Sequence, residues 1–252
     1  MCTMVVLIRP GHDWPLLLAA NRDEMIGRPW RPPARHWPDR PEVVAGLDEL
    51  AHGSWLGLND HGVVAGVLNR FGTLGPAPGQ RSRGELVLEA LDHADAEAAA
   101  EALAGLDPRA YRPFNMIIAD NRHAFWLRHA DASGRQRVSV HSLAPGLAMI
   151  AAGDLDERET PRLRRYRPRF AAAPAPDPDR GDWVAWETLL TDTETTPHDG
   201  PTGAMRFLTD RGFATVSSAL LALPSIARRG VKPVFRFRAW HPETSPWGSI
   251  AL

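Results

Sequence analysis

Two short apolar runs at the head of this 252-residue chain, joined by a turn with proline at both ends, restrict its fold more than any other feature. Residues 2–9 are rich in β-formers and stop at Pro10-Gly11; the second run is Leu16-Leu17-Leu18-Ala19-Ala20. Between them, Pro10-Gly11-His12-Asp13-Trp14-Pro15 reads as a hairpin turn. Antiparallel pairing follows, and it lays the far end of the second strand beside the start of the first. The second run passes into Asn21-Arg22-Asp23-Glu24, so the hairpin alone brings Asp23 close to Cys2. Alternation places Asn21 and Asp23 on one face and Arg22 on the other. Arg22 then reads as structural, paired with Glu24 or a buried acid. The four polar residues read either as part of a site or as a strand end that tidies a turn.

Further along, Ser54-Trp55-Leu56-Gly57-Leu58, Asn59-Asp60-His61-Gly62 and Val63 to Asn69 spell strand, tight turn and strand. Residues 25–42 hold five prolines and read as an ordered loop. Ser82-Arg83-Gly84-Glu85 fits a capping box, followed by an apolar stripe of Leu86, Leu88 and Leu91. Residues 94–105 are Ala-rich and helical. Phe114–Asp120 and Ala124–Leu127 form a second hairpin, and 157–170 a basic helix interrupted at Pro161 and Pro168. Residues 172–182 are a Pro/Asp-rich internal loop; a short helix over Trp183–Leu190 and strands over Phe213–Leu223 and Val231–Ala239 complete the chain. Strands and helices in this order suit antiparallel sheets packed with helices, an α+β architecture read as a single domain over 1–252.

Composition narrows the chemistry. The net charge of −1 steers the chain to neither nucleic acid nor an acidic membrane surface. Lys232 is the only lysine, so a Schiff-base lysine or a Walker-type phosphate loop is nearly excluded. One cysteine forbids an internal disulfide and a Cys-based zinc site, and suits a reducing compartment. The first apolar run stops at Arg9-Pro10, too short for a signal peptide or an integral membrane segment, which points to the cytoplasm. The ten histidines show no metal-binding spacing, so neither metal nor cofactor is expected. His36, His52, His61, His123 and His129 read as solvated, and the tryptophans as packing residues. The arginines at 158, 162, 164, 165, 167 and 169 read as a solvated helix face, with an anion site as the sharper alternative.

The lone cysteine is residue 2. Removal of Met1 would join a thiol and a free α-amine on one residue, and an amine with a pKa near ~8 can act as base for its own nucleophile. Read alone, Cys2 is either such a nucleophile or a small hydrophobe in the first strand. The surrounding motifs bear on that choice. Met1-Cys2-Thr3, Leu18-Ala19-Ala20-Asn21-Arg22-Asp23-Glu24 with Arg28-Pro29 and Trp37, Gly53-Ser54-Trp55-Leu56-Gly57, Gly62 to Asn69-Arg70, Ser82-Arg83-Gly84, Leu155-Asp156 to Pro161, and Ser217-Ser218 stand in the order of the NRDE-motif family. The chain resembles that family, the transport and Golgi organisation protein 2-like proteins, which is similar in turn to N-terminal nucleophile hydrolases. The resemblance implies a four-layer αββα sandwich of two antiparallel sheets. It also implies Cys2 as nucleophile, Asp23 as the carboxylate that bonds the Cys2 α-amine, and Asn69 as a side-chain donor to the oxyanion. Asn69 reads equally as an amide capping a strand end.

The chain departs from the pattern at three places. The hydrolase branch writes its Asp motif with an arginine three residues earlier, where Ala20 stands here, and Arg22 is the nearby arginine. Relatives place an Asn where this chain has Ala151-Ala152-Gly153, and an Arg where it has Val216. Losing one oxyanion donor costs on the order of 10²–10³ in rate. Two functions are therefore expected: hydrolysis of an amide or thioester of a small acyl compound through Cys2, Asp23, Asn69, Asn21 and Arg22, or non-catalytic handling of lipid, acyl-CoA or haem in the same pocket.

Overall fold

The computed structural model describes residues 2–131, 133 and 135–252. In chain order the strands and helices are β1 (Thr3–Ile8), β2 (Leu16–Met25), β3 (Trp30–Ala34), β4 (Val43–Asp48), β5 (Leu56–Asn59), β6 (Val64–Asn69), α1 (Gly84–Leu91), α2 (Ala96–Ala104), β7 (Phe114–Ala119), β8 (Ala124–His129), β9 (Ser139–Ser142), β10 (Gly146–Ile150), α3 (Pro161–Ala172), α4 (Val184–Thr191), β11 (Phe213–Leu223), β12 (Val234–Ala239) and β13 (Gly248–Ser249). They gather into two compact units. One comprises residues 1–28 and 145–250, the other residues 29–144 with the last two of the chain.

The first unit is a six-stranded antiparallel sheet in the order β10-β1-β2-β11-β12-β13. The N-terminal hairpin forms as expected, with Thr3 opposite Asn21 and Ile8 opposite Leu16. Strand β2 runs on through the polar motif to Met25 because β11 pairs its other edge, Thr215 opposite Asp23. β11 pairs this edge from Asn21 to Met25, so Asn21–Glu24 is strand rather than a turn. Val5, Leu17, Ala19, Leu220 and Ala222 present one apolar face. Leu163, Tyr166 and Phe170 of α3, with Trp186 and Leu190 of α4, cover it. Burying side chains of this size contributes about 1.5–3 kcal/mol each.

The second unit is a seven-stranded antiparallel sheet whose strands follow one another in sequence order, β3 to β9. Ala65, Val67, Met116, Ile118 and Leu127 pack against Leu86, Val87, Ala90 and Leu91 of α1 and against Ala99, Ala100 and Leu103 of α2. The β5–β6 turn closes at Gly62, which adopts a φ of 87° that suits glycine. Gly53 and Gly84 meet backbone to backbone, with Ser54 N donating to Gly84 O at 3.0 Å. A Cβ on Gly53 would lie 2.5 Å from the Gly84 carbonyl carbon, so the Gly-Ser-Trp-Leu-Gly and Ser-Arg-Gly motifs are packing partners.

Several sequence expectations change. The Pro-rich stretch 25–42 contains β3 despite Pro32 and Pro33. It is an edge strand with an irregularity between Arg31 and Ala34, where a missing N–H is tolerated. The capping box does not form: Arg83 is the N-cap residue of α1 and makes no side-chain cap bond, while Glu85 turns to Arg81. Pro161 begins α3 at its first turn instead of interrupting it. Pro168 lies inside the helix, on its exposed side, and the buried Leu163, Tyr166 and Phe170 carry the helix past it. His129 is buried rather than solvated, and burial lowers its pKa.

Candidate active site

Strand β2 delivers the site. Cys2 lies one residue ahead of β1 and keeps part of its surface accessible. Its Sγ accepts from the Asp23 backbone N–H at 3.4 Å and donates to the Asp23 carbonyl at 3.6 Å. Hairpin geometry thus brings Asp23 to Cys2 through its main chain. Burial pushes the thiol up from its ordinary value and the Asp23 carboxylate adds to the rise; a bond from the Asp23 backbone and the Arg22 charge pull weakly the other way.

The Asp23 carboxylate itself meets helix α3. Its Oδ2 accepts from Arg162 Nη1 at 2.7 Å and its Oδ1 from the Thr215 hydroxyl at 2.8 Å. Neither the Asp23 nor the Arg162 side chain is exposed at all. Arg162 Nη1 also donates to Thr3 Oγ1 at 2.8 Å and its Nε to the Thr202 carbonyl at 3.2 Å. Its guanidinium sits 5.2 Å from the Phe207 ring centre. A single guanidinium therefore joins α3, β1, β2 and the turn at Thr202. This corrects the reading of Arg162 as part of a solvated face. Four of its helix neighbours do behave that way, with Arg164 on Asp199, Arg165 on Glu194, Arg167 on Asp156 and Arg169 on Asp192.

Alternation along β2 holds: Asn21 and Asp23 turn toward the helices, continuing the face of Leu17 and Ala19. The Asn21 amide donates to the Leu190 and Met205 carbonyls at 2.9 Å each and accepts from the Ser218 hydroxyl at 2.6 Å. Its amide nitrogen ties β2 to α4 and to the segment at Met205, and its oxygen ties β2 to β11. Arg22 is buried on the opposite face. Val216 lies between Thr215 and Ser217, where the β2–β11 register slips by one, and its carbonyl accepts from Trp240 N at 2.9 Å. The stretch Ala151-Ala152-Gly153 is buried and offers no side-chain amide. A Cβ at Gly153 would run into the Glu157 carboxylate. Asn69 ends β6 in the second unit, half-buried, and among the described residues its amide has no hydrogen-bond partner.

A cavity of about 430 Å³ opens within the first unit, lined in part by Thr193, Thr195, Arg206, Phe207, Thr215 and His241. Thr215 belongs both to this lining and to the Asp23 network. Among the described residues, no three His, Cys, Asp or Glu side chains cluster as a metal site would require. No helix among them is long and apolar enough to cross a membrane.

Sequence reasoning missed Arg162, although a signal was present. Arg162, Tyr166 and Phe170 recur at four-residue spacing, so one arginine of the basic helix falls in its apolar stripe.

Comparison with known proteins agrees with this architecture. The family model described as Transport and Golgi organisation 2 matches residues 1–202. The mouse Transport and Golgi organization 2 homolog is 35% identical over 108 residues, 42% of this chain and 38% of the relative. The bovine homolog is 36% identical over 110 residues, with the same coverage. The matched segment thus spans well under half the length of these relatives. Among solved structures, an N-acylethanolamine-hydrolyzing acid amidase ortholog from Caenorhabditis elegans superposes with a TM-score of 0.55 at 12% identity, covering 87% of this chain and 92% of that one. A conjugated bile acid hydrolase from Clostridium perfringens gives 0.54 at 11%, covering 100% and 92%. Penicillin V acylase from Agrobacterium tumefaciens gives 0.52 at 12%, covering 99% and 86%. At these identities the likeness establishes the α+β fold of N-terminal nucleophile hydrolases and nothing finer.

Proposed function

Because the chain belongs to the Transport and Golgi organisation 2 family and has the fold of N-terminal nucleophile hydrolases, we propose that it is itself such a hydrolase, cutting an amide or thioester of a small acyl compound. The observation that carries this reading is the seating of the only thiol on the Asp23 backbone, beside a carboxylate fixed from two sides. In this mechanism Met1, which lies outside the described residues, is removed. The Cys2 α-amine then takes the thiol proton as sulfur attacks the acyl carbonyl. A neutral thiol with a raised pKa needs such a base at the moment of attack. The C–S bond forms, the amine returns the proton to the leaving nitrogen or sulfur, and water hydrolyses the acyl-enzyme. The resemblance implies that Asp23, held by Arg162 and Thr215, also bonds this amine. The family resemblance makes Asn69 the side-chain oxyanion donor of this proposal, and backbone N–H groups complete the hole. Asn21 and Arg22 support the strand. The cavity beside Thr215 has the volume of a small-molecule site. A lone reduced thiol suits the cytoplasm.

The test is a panel of short acyl amides and thioesters, run on protein whose intact mass shows Met1 removed. Turnover that disappears in Cys2→Ala supports the proposal; turnover that persists in it overturns it. One observation favours a second reading. The Ala151-Ala152-Gly153 stretch has no side-chain amide and Glu157 fills the space beside Gly153, so one oxyanion donor that the resemblance implies is missing. On that reading the protein holds an acyl-CoA or haem without cleaving it, and Cys2→Ala binds either ligand as well as wild type does.

A further inference from the structure

We propose that Arg162 is a positioning residue for Cys2: reaching across from α3, it fixes the Asp23 carboxylate within the helix-covered face and neutralises it next to the thiol. The proposal rests on the reading of Cys2 as the reacting group and adds the element that tunes it.

Asp23 meets Cys2 through its main chain, and its carboxylate is held by Arg162 and Thr215. Thr3, the residue after Cys2, receives the same Arg162 nitrogen through its hydroxyl. Arg162 therefore grips both strands of the hairpin within one residue of the thiol. A guanidinium does this well because its donors are fixed in a planar fork and it stays charged at any working pH. Among the described residues, the charged side chains that bear on Cys2 are Asp23 and Arg22 from β2; Arg162 reaches it through Asp23. The Asp23 carboxylate opposes formation of the thiolate, and with the arginine in place that opposition is partly offset. Without it, the buried carboxylate loses this counter-charge beside the sulfur, where low dielectric amplifies its effect. None of the other ionised arginines of α3 can substitute, since their acid partners lie at Asp156, Asp192, Glu194 and Asp199.

The chain's single cysteine makes the test clean, because alkylation reports Cys2 and nothing else. The second-order rate of iodoacetamide alkylation is measured from pH 6 to 10 on wild type, Arg162→Gln, Asp23→Asn and the double variant. Amino-terminal state is matched by intact mass and folding is checked by circular dichroism. Arg162→Gln should move the thiol titration upward and slow alkylation at pH 7.5 about tenfold, the equivalent of one pKa unit. Asp23→Asn should move it the other way, since an unbalanced cation then faces the sulfur. If Arg162→Gln does not fold, the comparison of Asp23→Asn with the double variant decides: the single variant must alkylate several-fold faster. Equal profiles in either comparison overturn the proposal. Thiol reactivity is read without any substrate, so a failed hydrolase assay and a failed positioning role give separate signatures.

Discussion

Asp23 and Arg162 meet with neither side chain exposed, and this sets their energetics apart from every other pair on α3. Removing one partner of a buried pair strands the other charge in low dielectric, at about 3–5 kcal/mol. Arg165 and Glu194 meet at a water-exposed surface, where a pair contributes about 0–1 kcal/mol. Arg162→Met should therefore lower the urea-unfolding free energy by about 3–5 kcal/mol and Arg165→Ala by less than 1. Equal losses would mean that the buried pair is not formed in solution. Much of this neighbourhood was legible in the sequence. Hairpin geometry gave the approach of Asp23 to Cys2, and alternation gave the common face of Asn21 and Asp23. The partner of Asp23 was not legible, because it lies about 140 residues away and nothing local couples them. Only the misplaced charge in the apolar stripe of α3 hinted at it.

Among the elements, strands with two paired edges and clear apolar content were legible, as with β1, β2, β7, β8 and β11. Strand β3 was not, because its prolines are compatible with a strand only at an edge, and edge position is a property of the sheet. The capping box at Ser82 failed for a similar reason. Glu85 has a competing partner in Arg81, and Gly84 is pressed against Gly53, so the helix starts one residue later than the motif expects. Asp95 is a true cap, accepting from Ala98 N at 2.8 Å. Thermal melts should show Asp95→Ala costing about 1 kcal/mol and Ser82→Ala less than about 0.5. A Ser82→Ala loss as large as that of Asp95→Ala would restore the capping box.

For the molecule as a whole, pH is the simplest probe of what folding buries. Burial raises the pKa of Cys2, Tyr166 and Tyr111, the last to about 12. These groups hold their protons more firmly folded than unfolded. Their share of stability is intact below the unfolded thiol pKa of about 8.5 and drains as pH climbs through the folded values. His129 works in reverse: its pKa is lowered, so its share is present above about 6.5 and is lost as pH falls. Tm should be flat between about pH 6.5 and 8.5 and decline on both sides. Cys2→Ser should delay the start of the alkaline decline. A decline that begins at the same pH in that variant would show that the thiol is not buried as described.

The order of the chain through the first unit bears on how it is made. Strand β2 has its inner neighbour β1 at once, but β11, which closes its other edge, follows roughly 190 residues later, after the entire second unit. At ordinary elongation rates of about 5–20 residues per second, the growing chain carries that open edge for roughly 10–40 s. A ribosome-borne hairpin with an unsatisfied, apolar-rich edge is a natural client for chaperones and a natural seed for aggregation. Slow or interrupted synthesis of the middle of the chain should therefore harm the strand that bears Asp23 before it harms anything made later.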